Sequence, residues 1–445
     1  DIVGGTEMIR DAFDWVFAAA EQEGVTCQPA DVPFKLQAVQ DAFAAGTLGM
    51  AELFRGGGNL TVLYRDRDTY LRVNRRFSRL VLENAPGMVP MAACCEANGQ
   101  NYSADYSALM AAVDAEKNRM LPGRADYAAP FALRDRTTNQ PIVCRVPFAG
   151  GQRELTAESR KKWEKGQRSD KRNDGNRLLD EMTTEWQEES LLAVIHADGN
   201  NMGVKIQQKL NGSIDYDFCV STMRAFTAEI ADAFTRTGET SLRDTMAYLQ
   251  KEYHGLRETA YHYRIVVADG DDFTFICNAR FALEYTCNYL KAVHQKKDYS
   301  SCAGICIFHS GYPVARAYTL AEQACDNAKK PVHETHAEEC WLDFHYLHSG
   351  IDGNLDNIRS WQKTDALMAR PWLVGDGNTV FTLEKAKALI KYIQDHKDQG
   401  TNRSNLKKIA AALEESRGAA KMELARVLYR NPDFAGALRT FSPNE

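Results

Sequence analysis

Three aspartates crowd one short stretch of the chain. In "YRIVVADGDDFTFIC", residues 263–277, Asp269, Gly270, Asp271 and Asp272 separate two apolar runs. Carboxylates held close together repel, and their pKa values rise unless a cation neutralises them. Magnesium, or manganese in its place, is the natural cation for an all-oxygen site. Two such ions about 3.5–4 Å apart can activate an attacking hydroxyl and stabilise a leaving pyrophosphate. A second stretch, "LLAVIHADGNNMG" (residues 191–203), ends an apolar run on Asp198 and continues through Gly199, Asn200, Asn201, Met202 and Gly203. Glycines there allow close backbone approach, and free N–H groups at a helix start bind phosphate. Lys329 and Lys330 could reach the same phosphates, although a lysine pair near a helix C-terminus also suits the helix dipole. Triphosphate on amides and metal on Asp198, Asp271 and Asp272 together describe a nucleotidyltransferase or cyclase site.

The elements around these residues explain how they could meet. "LLAVIHA" reads as a strand buried on both faces, and residues 215–236 follow at helical spacing through Phe218, Phe226, Ile230 and Ala233. "YHYRIVVA" and "FTFIC" read as a hairpin with the acidic string at its tip. "ARFALEYTCNYLKAV" predicts a helix, "CAGICIF" a buried strand, "ARAYTLAEQACDNAKK" a third helix and "CWLDFHYL" an edge strand. The order is the split βαββαβ unit of ferredoxin-like folds. In that topology the first strand lies in the middle, beside the hairpin strand, so Asp198 should meet Asp271 and Asp272 at one sheet edge.

The rest of the chain divides around this unit. Residues 1–120 read as a weaker copy. "GGTEMIRDAFDWVFAAAEQEG" is its first helix, and "ELFRGGGNLTVLYRD" is a hairpin whose turn, Gly56-Gly57-Gly58-Asn59, stands where the acids would be. "DTYLRVNRRFSRLVLENAPG" is its second helix and "MVPMAACCEA" its last strand. Its first strand is missing, so either the sheet is one strand short or the natural polypeptide begins upstream. Residues 121–188 form a connector, in which Arg153–Arg177 holds nine basic and five acidic side chains and reads as a solvated, mobile loop. The active unit covers 189–350, and 351–445 is a helical C-terminal domain built on amphipathic stretches such as "TLEKAKALIKYIQDH". The fold class is therefore α+β: two ferredoxin-like units followed by helices.

Composition bounds the setting. The chain has 445 residues, is 44% hydrophobic and 26% charged, and carries a net charge of −6, which disfavours a non-specific nucleic-acid binder but permits a local basic surface. No apolar run is long enough for a membrane span, and the opening "DIVGGTEMIRDAF" has no signal-peptide core. Eleven scattered cysteines point to reduced thiols in a cytoplasm. Asp-Gly-Asp-Asp also suits a plain turn, and it lacks the spacing of a twelve-residue calcium loop. His333, His336, Cys340, His345 and His348 are ligand types, but strand alternation does not gather them around zinc. Cys94–Cys95 and His196 read as packing residues, and His309 could line the cleft.

The central unit resembles the polymerase/cyclase palm of the large subunit of type III CRISPR effector complexes, the cyclic-oligoadenylate synthases. "LLAVIHADGNNMG" is similar to that family's first palm strand and phosphate loop, and "VVADGDDFTFI" to its Gly-Gly-Asp-Asp hairpin. "AGICIFHSGYPVARAYTLAEQACDNAKK" and "WLDFHYL" are similar to its last strands and helix. The Gly-Gly-Asp-Glu-Phe diguanylate cyclases share the palm more distantly. The resemblance implies ATP as substrate, magnesium or manganese on Asp198, Asp271 and Asp272, and a cyclic oligoadenylate product in antiviral defence. It also implies guide or target RNA, other effector subunits or a second copy as partners, in the cytoplasm and off the membrane. Asp269 stands where the family motif has its first glycine. Only Cys144 remains near the family's zinc-binding insert, and a compact form without the His-Asp nuclease domain is expected. Two alternatives stay open: a stand-alone cyclase making a cyclic mono- or dinucleotide, and a scaffold that binds nucleotide or RNA without turnover.

Overall fold

The computed structural model describes residues 2–119, 131–136, 138–148, 151–168, 179–184, 190–296, 298–335, 337–347, 353–360, 370–375, 382–395 and 402–432. The chain forms two compact units, residues 1–176 with 201–231, and residues 177–200 with 232–445. No helix among the described residues is long and apolar enough to cross a membrane.

The first unit opens with α1 (Ile2–Gln22), β1 (Cys27–Gln28), α2 (Leu36–Ala44), β2 (Met50–Gly56) and β3 (Asn59–Tyr64). It continues with α3 (Arg67–Asn84), α4 (Tyr102–Arg119), β4 (Ile142–Phe148), β5 (Gly151–Thr156) and α5 (Ala157–Arg168). Asp66 caps α3 by accepting from the Thr69 amide at 2.7 Å. Val73, Phe77 and Val81, one face of α3, close on Ala19 and Ala20 of α1 and Met50 of β2. The sheet has three strands in the order β1-β2-β3, with β1 parallel to β2 over two residues. The stretch 88–97, expected as a last strand, is not one: Pro90 interrupts it and Cys94 and Cys95 are exposed. Residues 153–168, from the stretch 153–177 expected as a loop, fall in β5 and α5 instead. Their many charges pair along the helix, Glu158 with Lys162 and Arg160 with Glu164, and Lys165 reaches Asp11 of α1. Residues 169–177 of that stretch lie outside the described residues.

After β6 (Leu191–Gly199), which belongs to the second unit, α6 (Met202–Leu210) and α7 (Tyr216–Ile230) belong to the first. Tyr216, Cys219 and Val220 of α7 are buried with Leu53 and Phe54 of β2. The Arg224 guanidinium donates to the carbonyls of Leu53 (2.6 Å), Glu52 (2.6 Å) and Val32 (2.7 Å), stitching α7 to β2.

The second unit resumes with a π-helical turn, Ala231–Arg236, then α8 (Thr237–Glu252), β7 (Tyr263–Asp269), β8 (Asp272–Asn278), α9 (Ala282–His294) and β9 (Ser301–His309). It ends with α10 (Val314–Thr335), β10 (Trp341–Tyr346), α11 (Leu355–Ser360), β11 (Trp372–Leu373), α12 (Leu383–Asp395), α13 (Asn402–Glu415) and α14 (Arg417–Arg430). Its six strands run β11-β10-β9-β6-β8-β7, so β6 is central and antiparallel to both β8 and β9. Strand alternation gives the sheet two buried faces. On one, Phe273 stacks on Tyr289 of α9 at 5.0 Å. On the other, α10 lies so close to β9 that a Cβ at Gly304 would sit 1.9 Å from the Ala321 carbonyl oxygen. Gly304 is opposite His196 in the β6–β9 register. Beside this core, the fully buried Asp343 is gripped by both Nη atoms of Arg359, at 2.7 and 2.9 Å.

Candidate active site

β6 carries Asp198 to the end of the central strand, and β8 runs antiparallel beside it with Ala197 opposite Phe273. The hairpin before β8 closes on the pair Asp269–Asp272, leaving Gly270 and Asp271 as a two-residue turn. The positive φ falls on Gly270 (63°), the position that a II′ turn gives to glycine. Asp269 is therefore not asked to adopt the left-handed backbone that a glycine in its place would favour. The turn folds tightly over the strand end: a Cβ at Gly199 would lie 2.8 Å from the Asp271 Cβ and 3.0 Å from the Phe234 ring. Phe234 comes from the π turn, and Thr235 from the same turn donates to the Gly270 carbonyl at 3.3 Å.

This packing brings Asp271 against Asp198. Burial, then the Asp198 charge, push the Asp271 carboxyl up to about 6. The Lys329 ammonium is ion-paired with Asp198 Oδ2. Burial opposes the lysine charge, but Asp198 outweighs it and holds the Lys329 pKa above its ordinary value. Asp272 turns to a different set of partners. Its Oδ1 accepts from Thr274 Oγ1 at 3.3 Å and lies 3.4 Å from His196 Nδ1. His196 Nδ1 is 3.0 Å from Thr274 Oγ1, and its ring meets Tyr318 of α10 edge-on at 5.4 Å. Burial works against the imidazolium, yet Asp272, Asp198 and Glu322 together raise its pKa. Burial and then Asp272, Glu322 and Asp198 push the Tyr318 phenol up to about 12.

The remaining candidates fall in several places. Asn200 is 2% exposed and its nitrogens are spoken for: its amide donates to the Ser300 carbonyl, and its Nδ2 donates to Ser300 Oγ and the Glu339 carbonyl, each at 3.0 Å, while its buried Oδ1 has no partner. Asn200 thus anchors the end of β6, and its amide is not free for phosphate. Asn201 (φ 59°) caps α6, whose first residues are Met202 and Gly203; all three belong to the first unit. Lys329 lies well inside α10 rather than at its end, because the helix continues to Thr335; Lys330 is exposed. His336 and His348 lie outside the described residues. Cys340 is buried and takes its bond from the Ser301 amide at 3.4 Å. Among the described residues no group of three or more His, Cys, Asp or Glu side chains is arranged to hold a metal ion. Asp198 and Asp271 nonetheless fit magnesium, which is commonly held by one or two carboxylates plus substrate phosphates rather than by an all-protein cage.

Sequence reasoning passed over Thr274 and Tyr318, and took His196 as packing alone. A signal existed: Tyr318, Glu322, Cys325 and Lys329 follow one another at helical spacings of four, three and four.

Residues 191–336 match the family model for the second palm domain of Cas10/Cmr2 proteins. The matched segment is the one on which the two aspartate stretches lie. Among solved structures it is similar to Csm1 of T. onnurineus, at 13% identity and a TM-score of 0.41, covering 85% of this chain and 56% of that one. It is also similar to a chain of an apo Csm1–Csm4 cassette (12% identity, TM-score 0.40, 88% and 58% covered). A third is a chain of a Csm1–Csm4 cassette in complex with cA4 (11%, 0.37, 78% and 55%). The chain spans little more than half the length of each of these three. No curated protein matches it.

Proposed function

We propose that the palm is a metal-dependent nucleotidyltransferase that joins ATP into a cyclic oligoadenylate messenger in antiviral defence, together with other effector subunits and guide or target RNA. The observation that carries this is the Asp198–Asp271 pair, two mutually repelling carboxyls on adjacent strand ends with Lys329 beside them. Magnesium or manganese bound there would supply Lewis-acid activation of the attacking hydroxyl and neutralise charge on the leaving pyrophosphate. Asp198 and Asp271 would hold it in their deprotonated forms. Lys329, released from Asp198, takes its charge to the triphosphate. Asp272, oriented by Thr274 and His196, accepts the proton of the 3′-hydroxyl. The O3′–Pα bond forms as the bond from Pα to the bridging oxygen breaks, and pyrophosphate departs with the electron pair. Repetition and closure give the ring.

A nucleotide-binding scaffold without turnover is favoured by one observation: the Lys329–Asp198 ion pair satisfies that carboxylate with no metal. Incubating α-labelled ATP and magnesium with wild type and Asp271→Ala separates the two. Linked or ring-closed AMP from wild type alone supports the transferase. A single cyclic mono- or dinucleotide points to a stand-alone cyclase. No product, with or without RNA and partner subunits, leaves the scaffold.

A further inference from the structure

Helix α3 of the first unit carries "RVNRRFSR", residues 72–79, whose four arginines have no counterpart elsewhere in this acidic chain. At 3.6 residues per turn Arg72, Arg75, Arg76 and Arg79 fall within an arc of about 100°. That arc faces away from Val73, Phe77 and Val81, the side chains α3 buries. Arg72, Arg75 and Arg79 are exposed, and Arg76 is half-buried.

Two features set this stripe apart from a solvated helix face. First, among the described residues none of the four is ion-paired. Arg72 donates to the Glu23 carbonyl at 3.4 Å and Arg76 bonds the Gln22 side-chain oxygen, both neutral acceptors at the end of α1. Arginines elsewhere on this surface do find carboxylates: Arg119 with Glu116, Arg145 with Glu154, Arg160 with Glu164 and Arg426 with Glu423. Second, the spacing sets like charges three and four residues apart along one helix, which weakens it. The charges sit mid-helix, where the dipole gives nothing back; no basic residue lies in the last turn.

We infer that this stripe is a docking surface for the phosphodiester backbone of a nucleic acid. The cations are all arginine, whose planar fork engages phosphate oxygens two at a time. Arg72 to Arg79 spans about 10 Å of helix axis, the rise of roughly three nucleotides of one strand. The arc also takes in Asp68 and Glu83, one turn beyond either end of the arginine run, but no apolar side chain, whereas a protein partner would need a buried apolar anchor at its centre.

The test is binding of fluorescent single-stranded RNA, and of DNA of the same sequence, to the full chain across a salt series. Arg72→Gln/Arg75→Gln/Arg79→Gln should lower affinity at least tenfold and reduce the slope of log K against log salt by about 2, at about 0.7 for each phosphate no longer neutralised. Glutamine keeps the helix, and circular dichroism checks it. A companion variant neutralising Arg145, Arg160 and Arg426 should bind as wild type does. Should the α3 substitutions unfold the chain, the wild-type salt slope and its competition with polyglutamate decide alone. Equal losses in both variants, a flat wild-type slope, or polyglutamate displacing RNA as readily as RNA itself would overturn the proposal; the last outcome would mark an acidic protein partner.

Discussion

The β2–β3 hairpin turns through Gly57 and Gly58, both at positive φ (56° and 71°), with nothing within 4 Å of a side chain added at either. The β7–β8 hairpin turns through Gly270 and Asp271, only the first at positive φ, and its second residue lies hard against Gly199. The larger difference is the neighbouring strand. Across β8 runs nine-residue β6 with Asp198 near its end. Beside β2 runs the two-residue β1, parallel to it and carrying no acid. A turn gains a second carboxyl from the strand end it closes upon, and of these two hairpins it is β7–β8 that meets one.

Substitution at the acidic pair should have the largest effect. Asp198→Asn or Asp271→Ala should lower nucleotidyl transfer at least a thousandfold, about 4 kcal/mol of barrier, while Asn59→Ala in the first hairpin changes nothing. Labelled ATP turnover checks this, and a loss at Asn59 would break the comparison. Next comes the support beneath β6. Gly304→Ala has no room against α10 and should cost about 3 kcal/mol in urea unfolding.

Smaller and more discriminating is Asp271→Asn in EDTA. A carboxyl raised from 3.8 to about 6 stabilises the fold below its unfolded pKa and loses that contribution as pH rises through about 6. The asparagine variant escapes the loss. It should be more stable than wild type by on the order of 1–3 kcal/mol at pH 8 and gain nothing at pH 4, by thermal melts. Equal stability at both pH values would mean that Asp198 and Asp271 do not burden each other. Smallest is Gly58→Ala, about 1 kcal/mol for a left-handed residue in a turn that touches nothing.

The second unit was legible where its strands are continuous apolar runs. "LLAVIHA", "FTFIC" and "CAGICIF" became β6, β8 and β9 because both faces of this sheet are covered, and the convergence of Asp198 with Asp271 followed from strand order alone. The first unit was less so. "MVPMAACCEA" is apolar, but Pro90 interrupts it and its alanines favour no strand, so it stays irregular. The run after α7 contains a π turn, whose one inserted residue lasts for a single turn, too short a stretch for its phase shift to stand out in an apolar pattern. β11 is too short for any periodicity. His196 looked inert because its partners, Asp272, Thr274 and Tyr318, come from distant places in the sequence.

The assignment of Met202–Leu210 and Tyr216–Ile230 to the first unit has a consequence for synthesis on the ribosome. The layer around Leu53 and Phe54 is incomplete until Tyr216, Cys219 and Val220 emerge from the exit tunnel, and by then Leu191–Gly199 has already been translated. The usual order, in which an N-terminal domain finishes folding before the next begins, is closed to this chain. Its central strand β6 must wait, unpaired, while the older half of the polypeptide is still being completed.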